Sequence, residues 1–321
     1  MKNESLHPKI SIIGCGNVGT RYAYALIIKG IAREIVMVDI NRKRLEGDVM
    51  DLSHTAPYTS PVDIIPGTYE DIVNSDIVVI TAGKNQKPGE TRLDLAKKNI
   101  ELLKQIIPKI QDHVPDAIYL IVSNPVDILS YATYKISGKP KNEVMGSGTT
   151  LDTARFRFLL AKYCNVNASN VHAYILGEHG DSEFAVWSSA MIGGTYIKNY
   201  CDMREIINSN DSDKKFQKIF EEVRNSAYEI IERKGETSYG IGLALARISQ
   251  AIINDENTIL PISTLIEDYY GINDVYLSLP SIVNKNGVQE TLKIELNDEE
   301  IKNFRYSANK LKDVIKKADL N

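Results

Sequence analysis

Gly14-Cys15-Gly16-Asn17-Val18-Gly19 spells G-x-G-x-x-G directly after a β-branched run, Ile10 to Ile13, and at the head of a helical pattern from Val18 to Lys29. In that setting the first glycine permits a tight turn. The second lets the backbone approach a pyrophosphate, and the third lets helix and strand pack closely. The unpaired N–H groups of the helix start, where Asn17 and Val18 lie, favour an anion. Asp39 closes the next strand-like run, Glu34 to Asp39 (EIVMVD), 20 residues after Gly19. An acidic side chain there accepts hydrogen bonds from the adenosine ribose hydroxyls and repels a 2′-phosphate, so the set points to NAD rather than NADP. The glycine pattern alone would be no more than a strand-to-helix turn.

Four other segments carry side chains with chemical potential. Gly83-Lys84-Asn85-Gln86-Lys87-Pro88-Gly89-Glu90-Thr91-Arg92 follows a strand and precedes a long helix, with the length and the Gly and Pro content of a lid. Ser123-Asn124-Pro125-Val126-Asp127 also follows a strand. In Leu151-Asp152-Thr153-Ala154-Arg155-Phe156-Arg157, Asp152 and Arg155 lie three apart and share a helix face. The fourth is Gly177-Glu178-His179-Gly180-Asp181. Each has a bland reading: a hydrogen-bonded loop histidine, a solvent-facing arginine at a helix start, and a surface Asp–Arg pair worth under about 1 kcal/mol. Together, behind a dinucleotide fingerprint, they suggest a catalytic constellation.

The elements that must position these residues alternate in the first half. Strand-like runs at Ile10 to Ile13, Glu34 to Asp39, Val62 to Ile65, Ile77 to Thr81 and Ala117 to Val122 are mostly apolar rather than alternating, with helical patterns at Val18 to Lys29, Arg42 to Ser53 and Arg92 to Asp112. That is the signature of a parallel sheet covered on both faces. The second half reads as α+β. It has helices over Leu151 to Tyr163, Asp213 to Lys234, Gly242 to Ile253 and Asp298 to Lys317, a strand over Val171 to Leu176, and strand runs from Thr258 to Leu296 broken at Tyr270-Gly271 and Lys285-Asn286-Gly287. The expected fold class is therefore α/β: a doubly wound Rossmann-type NAD-binding domain, residues 1–147, followed by an α+β substrate domain, residues 148–321.

Composition narrows the rest. A chain of 321 residues with 43% hydrophobic and 25% charged residues is globular and long enough for two domains. A net charge of −4 gives no basic excess for nucleic acid. No apolar run reaches the roughly 18 residues of a membrane span, and the polar start from Met1 to Lys9 lacks the apolar stretch of a secretory signal. Three scattered cysteines, Cys15, Cys164 and Cys201, fit a reducing cytoplasm, and no Cys-x-x-Cys or His-x-x-x-His spacing points to a metal.

The motifs GEHGD, LDTARFR, SNPVD and QKPGETR, in this order and spacing, resemble the lactate and malate dehydrogenase family from about Lys9 to the C-terminal helix. The resemblance implies hydride transfer between NAD(H) and a small 2-hydroxy or 2-oxo acid. It makes His179 the acid/base and Asp152 its partner. Arg155 would bind the substrate carboxylate, Arg92 would polarise the ketone, and Asn124 would contact substrate and the nicotinamide side. Thr237 would line the substrate pocket, and Ile241 would lie against the nicotinamide ring. Arg157 and His172 match positions that bind fructose bisphosphate in the activated bacterial members, so that activator and a homotetramer are expected as well.

Elementary chemistry agrees with these roles. The proton donor to a ketone oxygen must change charge near neutral pH, as imidazole does. A guanidinium offers a planar fork to a carboxylate, and a cation beside the carbonyl oxygen stabilises developing negative charge. Substrate choice turns on Gln86. Malate dehydrogenases of the family place Arg there to pair with a second carboxylate, usually with Met at the position of Glu90. A neutral Gln86 leaves such a carboxylate without a counter-charge and favours pyruvate and L-lactate. Malate, a bulkier 2-hydroxy acid, or a non-catalytic NAD-binding role are the alternatives. The last would be signalled by loss of His179 or Arg155, and both are present.

Overall fold

The computed structural model describes residues 7–85, 89–204, 212–318 and Leu320. The first half contains β1 (Lys9–Ile13), α1 (Asn17–Lys29), β2 (Glu34–Val38), α2 (Arg42–Ser53), β3 (Asp63–Pro66), β4 (Ile77–Ile80), α3 (Arg92–His113), β5 (Ile118–Ile121), α4 (Val126–Ser137) and β6 (Val144–Gly146). Strands β1 to β6 pair in parallel in the order β3-β2-β1-β4-β5-β6. Strands β4 and β5 are buried at every residue, and β1 and β2 at all but their first. Helices cover both faces, so an alternating pattern would have buried polar side chains beneath one layer of helices. The strand order reverses between β1 and β4, and the crevice outside the carboxyl ends of those strands is where such sheets bind ligands. The glycine turn follows β1 there, and the segment leading to Arg92 follows β4.

The second half continues with α5 (Thr150–Cys164), β7 (Val171–His172), β8 (Ile175–Leu176), β9 (Phe184–Ala185), β10 (Met191–Ile192), β11 (Thr195–Tyr196), α6 (Ile197–Met203), α7 (Ser212–Lys234), α8 (Tyr239–Ile253), β12 (Thr258–Leu265), β13 (Tyr276–Asn284), β14 (Gly287–Thr291) and α9 (Asp298–Lys317). Several features differ from the sequence reading. Helices α4 and α6 and strands β6, β9, β10 and β11 were not expected: α4 is buried over its first eight residues, so no exposed polar face marks its period, β6 has only three residues and β9 to β11 have two each. The expected strand from Val171 to Leu176 divides into β7, paired with β10, and β8, paired with β9. Helix α5 takes over the backbone groups at the division: Thr153 Oγ1 accepts from the Ile175 N–H at 3.0 Å, and Thr149 Oγ1 donates to the Ile175 carbonyl at 2.5 Å. Finally, β12 to β14 do not form a sheet apart. They extend the parallel sheet antiparallel to it, through the pair Ser263 and Gly146, into nine strands.

Two apolar cores flank the sheet, and a third, built around Phe156, Leu160, Ile175 and Phe216, lies beneath α5 and α7. Helix α8 ties the halves together. Gly242 lies so close to the backbone of Arg21 and Tyr22 that a Cβ would stand 3.1 Å from it, and the Tyr22 and Ser249 hydroxyls are 2.6 Å apart.

Candidate active site

The dinucleotide cradle is built by close backbone approach. Gly14 has φ +95, and a Cβ there would collide with the Ala82 backbone; a Cβ on Gly19 would collide with the Gly14 carbonyl. Gly16, the residue before α1, has no other group near where a Cβ would stand, so the turn opens onto free space at the helix N-terminus. Asn17 and Val18 form the first turn of α1, with Arg44 donating to Asn17 Oδ1 at 3.2 Å. Asp39 accepts the Cys15 N–H at 2.6 Å and the Asn41 N–H at 2.8 Å, which fixes its carboxylate beside the glycine turn. An open anion-favouring turn with an oriented carboxylate alongside suits NAD.

Across the crevice, β8, α5 and α3 bring their polar side chains to one pocket of about 550 Å³. Arg92, Asn124, Asp152, Arg155 and His179 all line it, together with Glu183, Arg224 and Tyr228. His179 Nδ1 is 2.5 Å from Asp152 Oδ2, and Arg155 donates to Asp152 Oδ1 at 2.7 Å. Asp152 is buried, and the His179 side chain keeps 27% exposure toward the pocket. Burial opposes the imidazolium, but the Asp152 charge and hydrogen bond outweigh it and push the imidazole up to about 9. The same desolvation works against an ionised Asp152, yet the His179 and Arg155 charges hold its carboxyl below the usual range.

Arg92 is the first residue of α3, which starts with a Thr91–Asp94 capping box. Its guanidinium is 2.6 Å from the buried Glu178 carboxylate and 3.6 Å from Asp181, and it donates to the His179 carbonyl at 3.3 Å. Asn124 follows β5, exposed at the pocket. Thr237 and Ile241, in the α7–α8 turn and on α8, are partly buried and are not among the described residues lining this pocket. Arg157 and His172 lie away from this pocket: Arg157 Nε donates at 3.0 Å to the carbonyl of Ala173, the residue after an exposed His172. Gln86 lies outside the described residues.

A family model described as the lactate/malate dehydrogenase NAD-binding domain matches residues 8–146, and the family's α/β C-terminal domain matches residues 149–320. The chain belongs to the lactate/malate dehydrogenase family. An L-lactate dehydrogenase of Acetivibrio thermocellus is 52% identical over 324 residues, spanning 100% of both chains. One from Lacticaseibacillus casei is 52% identical over 96% of this chain and 94% of its own. Among solved structures, a lactate dehydrogenase from a Medee basin deep-sea metagenome library superposes with a TM-score of 0.92 at 44% identity, covering 98% of this chain and 99% of that one. The minor L-lactate dehydrogenase of Enterococcus mundtii has a TM-score of 0.92 at 42% identity, over 97% and 98%. Among the described residues, no helix is long and apolar enough to cross a membrane.

Sequence reasoning passed over several residues that this lactate/malate dehydrogenase fold brings to the site. Asp127, quoted only as part of a motif, accepts the His179 N–H at 2.8 Å and the Ser263 hydroxyl at 2.6 Å. Burial raises its carboxyl to about 6 against those two hydrogen bonds. Asn99 is buried on α3, where it accepts the Lys84 N–H at 2.8 Å and donates to the Asn124 carbonyl at 2.9 Å. It thus joins the base of the Gly83–Arg92 segment to the Asn124 loop. Its signal was available: one polar residue in the apolar stripe of Leu95, Ala96, Ile100 and Leu103. Glu178, Glu183, Arg224 and Tyr228 needed the three-dimensional fold.

Proposed function

We propose that this chain interconverts pyruvate and L-lactate with NAD(H), using His179 as proton donor and acceptor, as in fermentative glycolysis. The observation that carries the mechanism is the Arg155–Asp152–His179 chain, with contacts of 2.7 and 2.5 Å, at the wall of the pocket. Asp152 holds Nδ1, which orients the ring and leaves Nε2 for the substrate oxygen. Arg155 takes the substrate carboxylate on guanidinium donors that Asp152 does not use. Arg92 exchanges Glu178 for the carbonyl oxygen and steadies its negative charge as the proton arrives. Asn124 and Thr237 complete the substrate contacts. Gly14, Gly16, Asn17, Val18, Gly19, Asp39, Asn124 and Ile241 hold NAD, which when bound supplies or accepts the hydride. Neutral Gln86 sets the preference for pyruvate over oxaloacetate. The division between an NAD-binding domain and a substrate domain falls at residues 147 and 148. Oxidation of NADH with pyruvate, compared in wild type and His179→Asn, tests the reading: loss in the variant is expected, and equal rates contradict it.

The finer reading is a cytoplasmic homotetramer activated by fructose bisphosphate. The anchoring of Arg157 to the backbone next to His172 supports it, since two such basic residues facing their copies across a two-fold axis would suit a doubly phosphorylated sugar. The activator lowers the apparent pyruvate KM on this reading. Superimposed saturation curves with and without it would contradict the regulation.

A further inference from the structure

Glu183 is a buried carboxyl to which the scheme above gives no task. It is 7% exposed and lines the same pocket as His179. One oxygen or ring nitrogen from each of Asp152, His179 and Glu183 lies within 4.8 Å of the others. Two carboxyls and an imidazole therefore share one poorly solvated place. Asp152 is committed on both oxygens, to His179 and to Arg155. Charged and titratable groups face this place from every side: Arg155 on α5, Arg224 and the neutral Tyr228 on α7, Arg92 on α3, Asp127 on α4, and Glu178 and Asp181 beside His179.

Two carboxylates cannot both ionise cheaply so close together away from water. Asp152 has the better partners and takes the charge. Burial first, and then the charge on Asp152, push the Glu183 carboxyl well above the usual carboxylate range. An ionised Glu183 would in turn favour the imidazolium of His179.

We propose that Glu183 is a positioning residue for proton transfer: its carboxyl, set beside the Asp152–His179 pair in the wall of the pocket, when ionised prolongs the charged state of His179. Reduction of a 2-oxo acid then continues to higher pH than the Asp152–His179 pair alone would allow. The inference rests on His179 being the proton donor. No bond changes other than the loss of the Glu183 proton to water.

The test is kcat/KM for pyruvate with NADH in wild type and Glu183→Gln, from about pH 6 to about pH 9. Glutamine cannot ionise, so the ratio of variant to wild type is expected to fall as pH rises, by about threefold or more. A purely structural role lowers activity equally at every pH, so a ratio that is flat or rises overturns the proposal. His179→Asn is run alongside. If that variant keeps the wild-type rate, the premise fails. If it loses activity while the Gln ratio stays flat, only the Glu183 proposal fails. Should Glu183→Gln not fold, NMR titration of the His179 imidazole in the wild-type enzyme decides. The Glu183 carboxyl is followed in the same titration: an imidazole step that coincides with titration of the Glu183 carboxyl is expected, and the lack of any such coincident step overturns the inference.

Discussion

Nδ1 of His179 stands 2.5 Å from Oδ2 of Asp152, and Asp152 is the more deeply buried of the two. The ion pair is therefore poorly screened, and it holds His179 charged up to about pH 9 in the free enzyme. With His179 as the proposed proton donor, pyruvate reduction consumes the imidazolium, so its kcat/KM is expected to fall as pH passes that value. L-lactate oxidation needs the neutral ring and rises over the same range. Asp152→Asn removes the charge that favours the imidazolium. It should lower kcat/KM for pyruvate by about a hundredfold or more and move the alkaline limb to lower pH. A variant profile that overlays the wild type would show that Asp152 does not tune His179.

Arg155 donates to Asp152 through one guanidinium nitrogen, Nη1, at 2.7 Å. The remaining donors form the fork assigned to the substrate carboxylate. Arg155→Lys keeps the charge and loses the fork. Loss of a charge-assisted hydrogen bond is worth about 1.5–3 kcal/mol, or roughly 10- to 150-fold, and should appear mainly as a raised pyruvate KM. A KM within twofold of wild type would place the carboxylate elsewhere.

Asn99 ties the Lys84 backbone to the Asn124 carbonyl inside the apolar face of α3. Asn99→Leu leaves those backbone groups unpaired, at a cost of about 1–3 kcal/mol in urea unfolding. It should also lower kcat/KM by loosening the two loops that carry Arg92 and Asn124. Unchanged stability would mean that water or a shifted backbone replaces the amide.

Asp39 is oriented by two backbone N–H groups beside the glycine turn. Asp39→Ser removes the charge that repels a 2′-phosphate, while Arg44 stays close by on Asn17. The ratio of kcat/KM with NADPH to that with NADH should rise about tenfold or more, or about 1.4 kcal/mol. An unchanged ratio would remove Asp39 from the cofactor contacts.

Where the chain repeats a local rule, the sequence was informative. Burial on both faces makes β4 and β5 continuous apolar runs, and α2 and α9 begin at Arg42 and Asp298 as their patterns suggest. Legibility failed where tertiary contacts overrule local pattern. Helix α4 has no exposed polar face over its first eight residues, the Thr149 and Thr153 hydroxyls take backbone groups within the run from Val171 to Leu176, and β12 joins β6 through a single residue pair 117 positions apart. At the site, His179, Asp152 and Arg155 could be named from their motifs. The further carboxyls that face them, Asp127 and Glu183, are brought to the pocket by the fold.

The central claim is that this site reduces a 2-oxo acid with an uncharged side chain, and the direct measurement is kcat/KM with NADH for pyruvate against oxaloacetate under the same conditions. Pyruvate is expected to win by about a hundredfold, the scale of one unpaired charge in a closed pocket. Oxaloacetate winning by about tenfold or more (roughly 1.4 kcal/mol) would contradict the account and make Gln86 the wrong guide to the substrate.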